Sequence, residues 1–142
     1  MSRPQLIAAL RHPARPTVSV EFFPPKDAEG GARMLKVAAT LKPLGIDFAS
    51  LTYGAGGTSR DTTITYGAEL VKMGIPLIGH LTCVGHARAE LSAIIEHYDR
   101  AGFSGILALR GDPPKGQTAF TAHPEGFAHA EGLVRLIGAE RP

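Results

Sequence analysis

The chain has 142 residues, the size of one ordinary domain, and is 44% hydrophobic and 20% charged, a balance typical of globular proteins. Its 15 basic and 13 acidic residues are spread along the sequence without a like-charged run, which argues against a nucleic-acid or membrane partner. The sequence has no apolar stretch long enough to span a bilayer and no signal-peptide pattern at its start, so we expect a cytoplasmic protein.

Short apolar strands alternate with amphipathic helices along the chain. After a short helix, PQLIAALR, the predicted elements are a strand over residues 17–23, a helix that Gly30-Gly31 opens (ARMLKVAATLKPL), the strand FASLT, a helix over 63–73, the strand IPLIGHLTC, a helix over 87–101, the strand SGILAL and a last helix, FAHAEGLVRLIGAE. Four strand–helix units of this kind predict parallel strands that are covered by helices.

Polar residues recur near the strand ends at a nearly constant interval. Glu21 and Thr52 are 31 residues apart, Thr52 and His80 are 28 apart, and His80 and Arg110 are 30 apart. This interval is about the length of one strand–helix unit, on the order of 30 residues. Because the carboxyl ends of parallel strands converge on one face, where ligands bind, we expect Glu21 to point inward at a shared site.

Two architectures fit four such units. A (βα)₈ barrel needs about 250 residues, so four units make about half of one. A half-barrel would have two unpaired strand edges and an exposed apolar inner face, which would include Val18, Val20, Phe22, Leu77, Ile106 and Ala108. The alternative is a doubly wound open sheet of four strands, although no GxGxxG motif follows the first strand, which disfavours a dinucleotide-binding version.

Glu21 and the glycine-rich loop after the second strand each have two interpretations. Glu21 is either an ordinary strand carboxylate, turned to solvent or paired with Lys26, or a carboxyl group partly removed from water. Desolvation would favour its protonated form, which suits a general acid. The three glycines of TYGAGGTSRD either let a ligand approach the backbone closely or simply form a flexible connection.

His80 and the segment LALRGDPP also carry polar groups. A histidine in an apolar strand is more often a hydrogen-bonded core residue than a ligand. Cys83 is the only cysteine and the other histidines are dispersed, so we expect no metal site. Arg110 and Asp112 flank Gly111 directly after a strand. They form either a salt-bridged turn or a polar clamp, in which Arg110 donates to an anion or carbonyl and Asp112 accepts from a ring N–H or amine.

Four segments together resemble one enzyme family. VEFFPPK, LTYGAGGTSRD, GHLTC and ILALRGDPP are similar, in order and at matching spacing, to the amino-terminal half of the bacterial-type methylenetetrahydrofolate reductases, and HAEGLVRLI resembles the helix that follows. The resemblance implies one domain over residues 1–142, built as four units of a TIM-type barrel that holds FAD. It also implies reduction of 5,10-methylenetetrahydrofolate to 5-methyltetrahydrofolate, with NADH or NADPH first reducing the flavin. That reaction belongs to one-carbon metabolism and serves methionine biosynthesis.

The same resemblance implies roles for individual residues. Glu21 becomes the general acid that protonates a nitrogen of the folate's five-membered ring, which opens to an iminium ion, and reduced FAD then delivers hydride from N5. Asp112 matches an aspartate near both the flavin and the folate. Further positions that match flavin or nicotinamide contacts are Thr52, Tyr53, Ala55, His80, Arg110, Gly111, His129 and Ala130. At position 129 the family more often has tyrosine.

Length is the main departure from this family, whose barrel carries about as many residues again after the last helix. Besides the folate substrate, we therefore expect either self-association or association with a carboxyl-terminal half. A non-catalytic binding or scaffold half-barrel that needs a partner is the alternative function. An unrelated barrel enzyme such as an aldolase is a weaker alternative, because the lysines fall in predicted loops and helices and none lies at a strand end.

Overall fold

A computed structural model describes residues 6, 10, 15–53, 60–113, 116 and 119–140. Its strands are β1 (Ser19–Phe22), β2 (Phe48–Leu51), β3 (Leu77–Thr82) and β4 (Gly105–Leu109). Its long helices are α1 (Ala28–Leu41), α2 (Arg60–Lys72), α3 (Arg88–Arg100) and α4 (Ala130–Glu140), and a 3₁₀ turn, Lys42–Leu44, follows α1. The four predicted strand–helix units are confirmed. The short helix predicted at PQLIAALR lies mostly outside the described residues.

The start of α1 differs from its prediction. The helix begins at Ala28 because Asp27 caps it, and Asp27 Oδ1 accepts a hydrogen bond from the backbone N–H of Gly30 at 2.6 Å. Gly30 and Gly31 therefore lie inside the helix, and the prediction that they open it is wrong. Gly31 instead serves close packing, because a Cβ atom at this position would overlap the Tyr66 hydroxyl of α2.

The sheet has the strand order of a barrel. All neighbouring strands are parallel, and they follow one another as β1-β2-β3-β4. A doubly wound sheet reverses its strand order at a switch point, whereas each strand of a (βα)₈ barrel lies beside the preceding one. The described residues therefore form four consecutive units of a TIM-type barrel, and the alternative of a doubly wound sheet is wrong for them.

One face of this sheet packs against the helices and forms the core. Its most buried members are Ala38, Ala49, Leu51, Leu70, Leu77, Leu81, Cys83, Leu91, Ile94, Ile95, Tyr98 and Leu133. Five residues that were predicted to line the barrel interior belong to this core or pack against it: Val20, Phe22, Leu77, Ile106 and Ala108. That prediction is wrong because side chains alternate along a strand, so an inward Glu21 turns Val20 and Phe22 toward the helices. The sixth residue of that prediction, Val18, precedes β1 and is 49% exposed.

The opposite side of the sheet, which we call the open face, is more polar than predicted. Strand register places Glu21 beside Ser50, and Ser50 beside Ile78, on this face. Two residues farther along β3, His80 pairs with Leu107 of β4, whose side chain is 44% exposed. Within the described residues β1 and β4 each pair on one side only, so the sheet has two open edges.

Candidate active site

Glu21 lies on the open face near the carboxyl end of β1, and its side chain is 49% exposed. One side chain from β2 and one from β3 approach the same carboxylate oxygen. Ser50 Oγ donates to Glu21 Oε2 at 3.4 Å, and His80 Nε2 lies 3.5 Å from that oxygen. The polar neighbours of Glu21 are therefore Ser50 and His80 rather than Lys26, and its carboxyl group is only half removed from water.

His80 is buried, with 8% of its surface exposed, yet its Nε2 atom makes no hydrogen bond in the described part of the chain. Burial lowers the pKa of His80 because desolvation disfavours the imidazolium ion, and the nearby charge of Glu21 only partly opposes this. Tyr98 of α3 fixes the strand behind the ring, since its hydroxyl donates to the His80 carbonyl at 2.9 Å. His80 therefore presents a neutral ring nitrogen to Glu21 at neutral pH.

Thr52 and Tyr53 lie directly after β2. The backbone N–H of Thr52 donates to the Phe22 carbonyl at 3.0 Å, which ties the carboxyl ends of β1 and β2 together. Tyr53 Oη lies 3.1 Å from Nε2 of His86, and the two rings meet edge to face with their centroids 5.8 Å apart. This pair fixes the segment after β2 against the segment after β3. Ala55 lies outside the described residues.

Arg110, Gly111 and Asp112 follow β4, and no ion pair joins Arg110 to Asp112 in this described segment. The salt-bridged turn is therefore not formed. The Arg110 guanidinium instead stacks over the Phe120 ring, 4.9 Å from its centroid, and Asp112 is exposed. The Arg110 carbonyl accepts a 2.9 Å hydrogen bond from the backbone N–H of Val84, so this segment runs beside the residues that follow β3.

The two candidate carboxylates, Glu21 and Asp112, lie at opposite edges of the sheet. Glu21 is on β1 and Asp112 comes after β4, which are separated by three strand spacings of about 4.8 Å, or about 14 Å in a flat sheet. Side-chain contacts among the described residues bring Glu21 and His80 together and do not bring Asp112 to them. His129 is exposed just before α4, and Ala130 is the first residue of that helix. Within the described residues, no hydrogen bond, ion pair or ring contact joins either of them to Glu21, Ser50 or His80.

The donors along these strand ends suit a ligand rich in carbonyl and phosphate oxygens, such as FAD. Arg110 offers an exposed guanidinium, Thr52 offers a hydroxyl, and His80 holds a buried ring nitrogen that no protein group in the described part of the chain satisfies. The residues present therefore fit part of a flavin site. Among the described residues, no group of three His, Cys, Asp or Glu side chains could hold a metal ion, and no helix is both long and apolar enough to cross a bilayer.

Sequence reasoning missed two residues of this cluster, Ser50 and Tyr98. Ser50 could have been found from the parallel pairing, because a polar residue of FASLT falls opposite Glu21 once the two strands are aligned. Tyr98 lies on the buried side of α3 with Leu91, Ile94 and Ile95. Helical spacing predicts that it is a core residue, but not that its hydroxyl reaches the His80 carbonyl.

Known proteins match this chain over nearly its whole length. The family model described as methylenetetrahydrofolate reductase matches residues 6–141. The "Methylenetetrahydrofolate reductase (NADH) 1" of Zea mays is 35% identical over 127 residues, which cover 89% of this chain and 21% of the maize protein. The "5,10-methylenetetrahydrofolate reductase" proteins of Salmonella typhimurium and Escherichia coli are both 37% identical over 122 residues, which cover 84% of this chain and 39% of each relative. The chain thus spans well under half the length of these relatives.

Proposed function

This chain belongs to the methylenetetrahydrofolate reductase family, and from that premise we propose that it builds the first half of a barrel that reduces 5,10-methylenetetrahydrofolate to 5-methyltetrahydrofolate. Glu21 carries the proposal: it is a carboxyl group on the open face of a strand whose other face lies in the core. A charged residue at this position adds nothing to core packing. A role in proton transfer at the strand ends explains why it is there.

The proposed substrate holds its one-carbon unit between two nitrogens of a five-membered ring. In this proposal Glu21 donates a proton to one of those nitrogens, so the ring opens and leaves a cationic carbon that accepts hydride. The half-exposed carboxyl group is accessible to a ligand lying on the open face. Asp112, which is also exposed, would favour the cationic form by Coulomb attraction.

A flavin is the proposed cofactor, with a reduced nicotinamide as the second substrate. When bound and reduced by the nicotinamide, FAD would supply the hydride for the folate. Arg110 and Gly111 would hold it at the end of β4, Thr52 and Tyr53 at the end of β2, and His80 on β3. Further contacts are proposed for Ala55, His129 and Ala130. The names of the plant relatives specify NADH, which makes NADH the first nicotinamide to test, and we propose the cytoplasm as the place of the reaction.

The proposed reaction has two half-reactions: reduction of the flavin by the nicotinamide, and reduction of the folate by the flavin. Measuring each of them separately tests this function. In the protein at its full natural length, loaded with FAD under anaerobic conditions, we expect NADH or NADPH to bleach the flavin absorbance. Addition of 5,10-methylenetetrahydrofolate should then restore the absorbance and yield 5-methyltetrahydrofolate. Retention of FAD without folate-dependent reoxidation would instead favour the alternative, a non-catalytic binding or scaffold half-barrel.

A polypeptide of these 142 residues alone is expected to self-associate through the open face. The sheet has two open edges within the described residues, and Leu107 exposes 44% of its surface beside the polar cluster. Light scattering should therefore detect species larger than a monomer, and Leu107→Glu should shift them toward the monomer. Leu44→Glu is the matched control, because Leu44 is 76% exposed but lies in the 3₁₀ turn after α1 rather than on a strand. A monodisperse monomer that holds FAD tightly would contradict this prediction.

A further inference from the structure

We propose that His80 and Ser50 are positioning residues that orient the Glu21 carboxyl group so that it donates its proton from Oε1. This inference rests on the proposed function, in which Glu21 is the acid. The inference adds two details to that function. It names the oxygen of Glu21 that carries the proton, and it names the two side chains that determine which oxygen this is.

The choice of Oε1 as the proton donor follows from which carboxyl oxygen of Glu21 already approaches other side chains. Ser50 Oγ and His80 Nε2 both approach Oε2, at 3.4 and 3.5 Å. Within the described residues, Oε1 makes no hydrogen bond or ion pair. A proton on Oε2 would compete with a hydroxyl donor and a ring N–H for the same lone pairs. The proton of the neutral carboxyl group therefore resides on Oε1, the oxygen left to a ligand on the open face.

The contact between β1 and β3 depends on the small residue between them. Glu21 and His80 belong to strands separated by two spacings of about 4.8 Å, or about 10 Å. Ser50 lies on β2 and is paired with Glu21 in register, and its partner on β3 is Ile78, so His80 reaches Glu21 diagonally past Ser50. Because the Ser50 side chain is short, it leaves room for this approach. A long side chain at position 50 would occupy the space in which they meet.

A neutral imidazole suits this positioning role better than a cation. An imidazolium 3.5 Å from the carboxylate would stabilise the ionised form of Glu21 and so oppose proton donation. Burial lowers the pKa of His80, which keeps the ring neutral while its Nε2–H can still donate. The Tyr98 hydroxyl holds the His80 carbonyl at 2.9 Å and so fixes the strand that carries the ring.

The proton balance involves Glu21 and the substrate alone. The O–H bond at Oε1 breaks as a bond forms between that proton and a ring nitrogen of the substrate, and Glu21 becomes a carboxylate. The hydrogen bond from Ser50 Oγ–H to Oε2 then strengthens, and the 3.5 Å approach of His80 Nε2–H becomes more favourable, because a charged acceptor attracts these donors more strongly than a neutral one. His80 is neutral before and after the step.

The tautomer of His80 tests the geometry without cofactor or substrate. Nitrogen-15 NMR of the uniformly labelled protein at its full natural length, without cofactor, distinguishes a protonated ring nitrogen from an unprotonated one. We expect the neutral ring of His80 to carry its proton on Nε2, and Glu21→Leu to reduce the fraction in that tautomer. A neutral ring protonated on Nδ1 in the unaltered chain would overturn the inference, because Nε2 could then accept but not donate.

Two substitutions at position 80 test the effect on the reaction in the flavin-loaded protein at its full natural length. His80→Leu removes the donor and should slow the folate half-reaction by about tenfold to a hundredfold, the usual result of misplacing a reacting group. His80→Gln places an amide N–H near the position of Nε2 and should recover most of that loss. His97→Gln, a change at an exposed histidine of α3, serves as the control and should leave the rate unchanged.

The inference and the function on which it rests fail in different ways. Loss of the folate step in Glu21→Gln, combined with an unaltered folate step in His80→Leu, would overturn the inference and leave the proposed function standing. An unaltered folate step in Glu21→Gln would overturn the proposed function and the inference with it. Equal loss in His80→Leu and His80→Gln would also overturn the inference, since the ring would then act through its shape rather than its N–H.

Discussion

Glu21→Gln is expected to slow reduction of the folate by about 10²- to 10⁴-fold, the usual contribution of a general acid. Glutamine has nearly the same shape, and its carbonyl oxygen can still accept the hydrogen bond from Ser50 and lie beside His80, but its amide has no proton acidic enough to donate. Reduction of the flavin by NADH or NADPH requires no proton from this carboxyl group, so that half-reaction should keep its rate.

Anaerobic stopped-flow absorbance of the FAD-loaded protein at its full natural length measures both half-reactions for each variant. Glu29→Gln is the matched control, because Glu29 is an exposed carboxylate of α1 that pairs with Arg33 rather than with the site. It should leave both rates unchanged. If Glu21→Gln slowed both half-reactions equally, Glu21 would have a structural role and its proposed part in proton transfer would be wrong.

The architecture could be predicted from the sequence because its signals are local. An apolar run of four to six residues followed by an amphipathic helix and a glycine indicates one strand–helix unit, and four such units indicate parallel pairing. The recurrence of polar residues from Glu21 to Arg110 correctly predicted the length of that unit. The start of α1 was mispredicted because Asp27 and the tight contact between Gly31 and Tyr66 outweighed the usual interpretation of two glycines as a break.

The two faces of the sheet could be assigned only with pairwise contacts. Because side chains alternate between the two faces of a sheet, Val20 and Phe22 must lie on the same face. The alternation does not show which of the two faces packs against the helices. Burial of Phe22 at 8% exposure, packed in the core with α1 residues, decides it. The assignment reverses the lining predicted for the barrel interior and leaves the open face to Glu21, Ser50 and His80.

The cluster around Glu21 depends on register, which a single sequence does not specify. Glu21 and His80 are far apart along the chain and meet only because the register of β1, β2 and β3 brings His80 diagonally past the short Ser50 side chain to Glu21. Asp112 could be placed after β4 by its motif. Its distance from Glu21 depends on how strongly the sheet curves, which is a property of the whole barrel rather than of any motif.

Gly111→Ala is expected to lower the free energy of unfolding of the chain by about 2–5 kcal/mol, as the sum of backbone strain and a steric overlap. Gly111 has φ of 88°, a left-handed conformation that favours glycine. A Cβ atom there would also overlap Val84 Cγ1 and lie 3.1 Å from Thr82 Cβ. The backbone N–H of Val84 donates to the Arg110 carbonyl at 2.9 Å, which holds the Val84 backbone beside Gly111.

Gly45→Ala separates the two contributions to that loss. Gly45 has φ of 83°, close to that of Gly111, but a Cβ atom there would meet nothing within 4 Å. Gly45→Ala should therefore cost only the strain of about 1–2 kcal/mol. Urea unfolding followed by circular dichroism on the chain without cofactor measures both, and the difference between the variants gives the cost of crowding Val84. Equal losses of unfolding free energy in the two variants would mean that Val84 moves aside freely. Gly111 would then be required for its backbone conformation and for ligand approach, rather than for packing between the segments after β3 and β4.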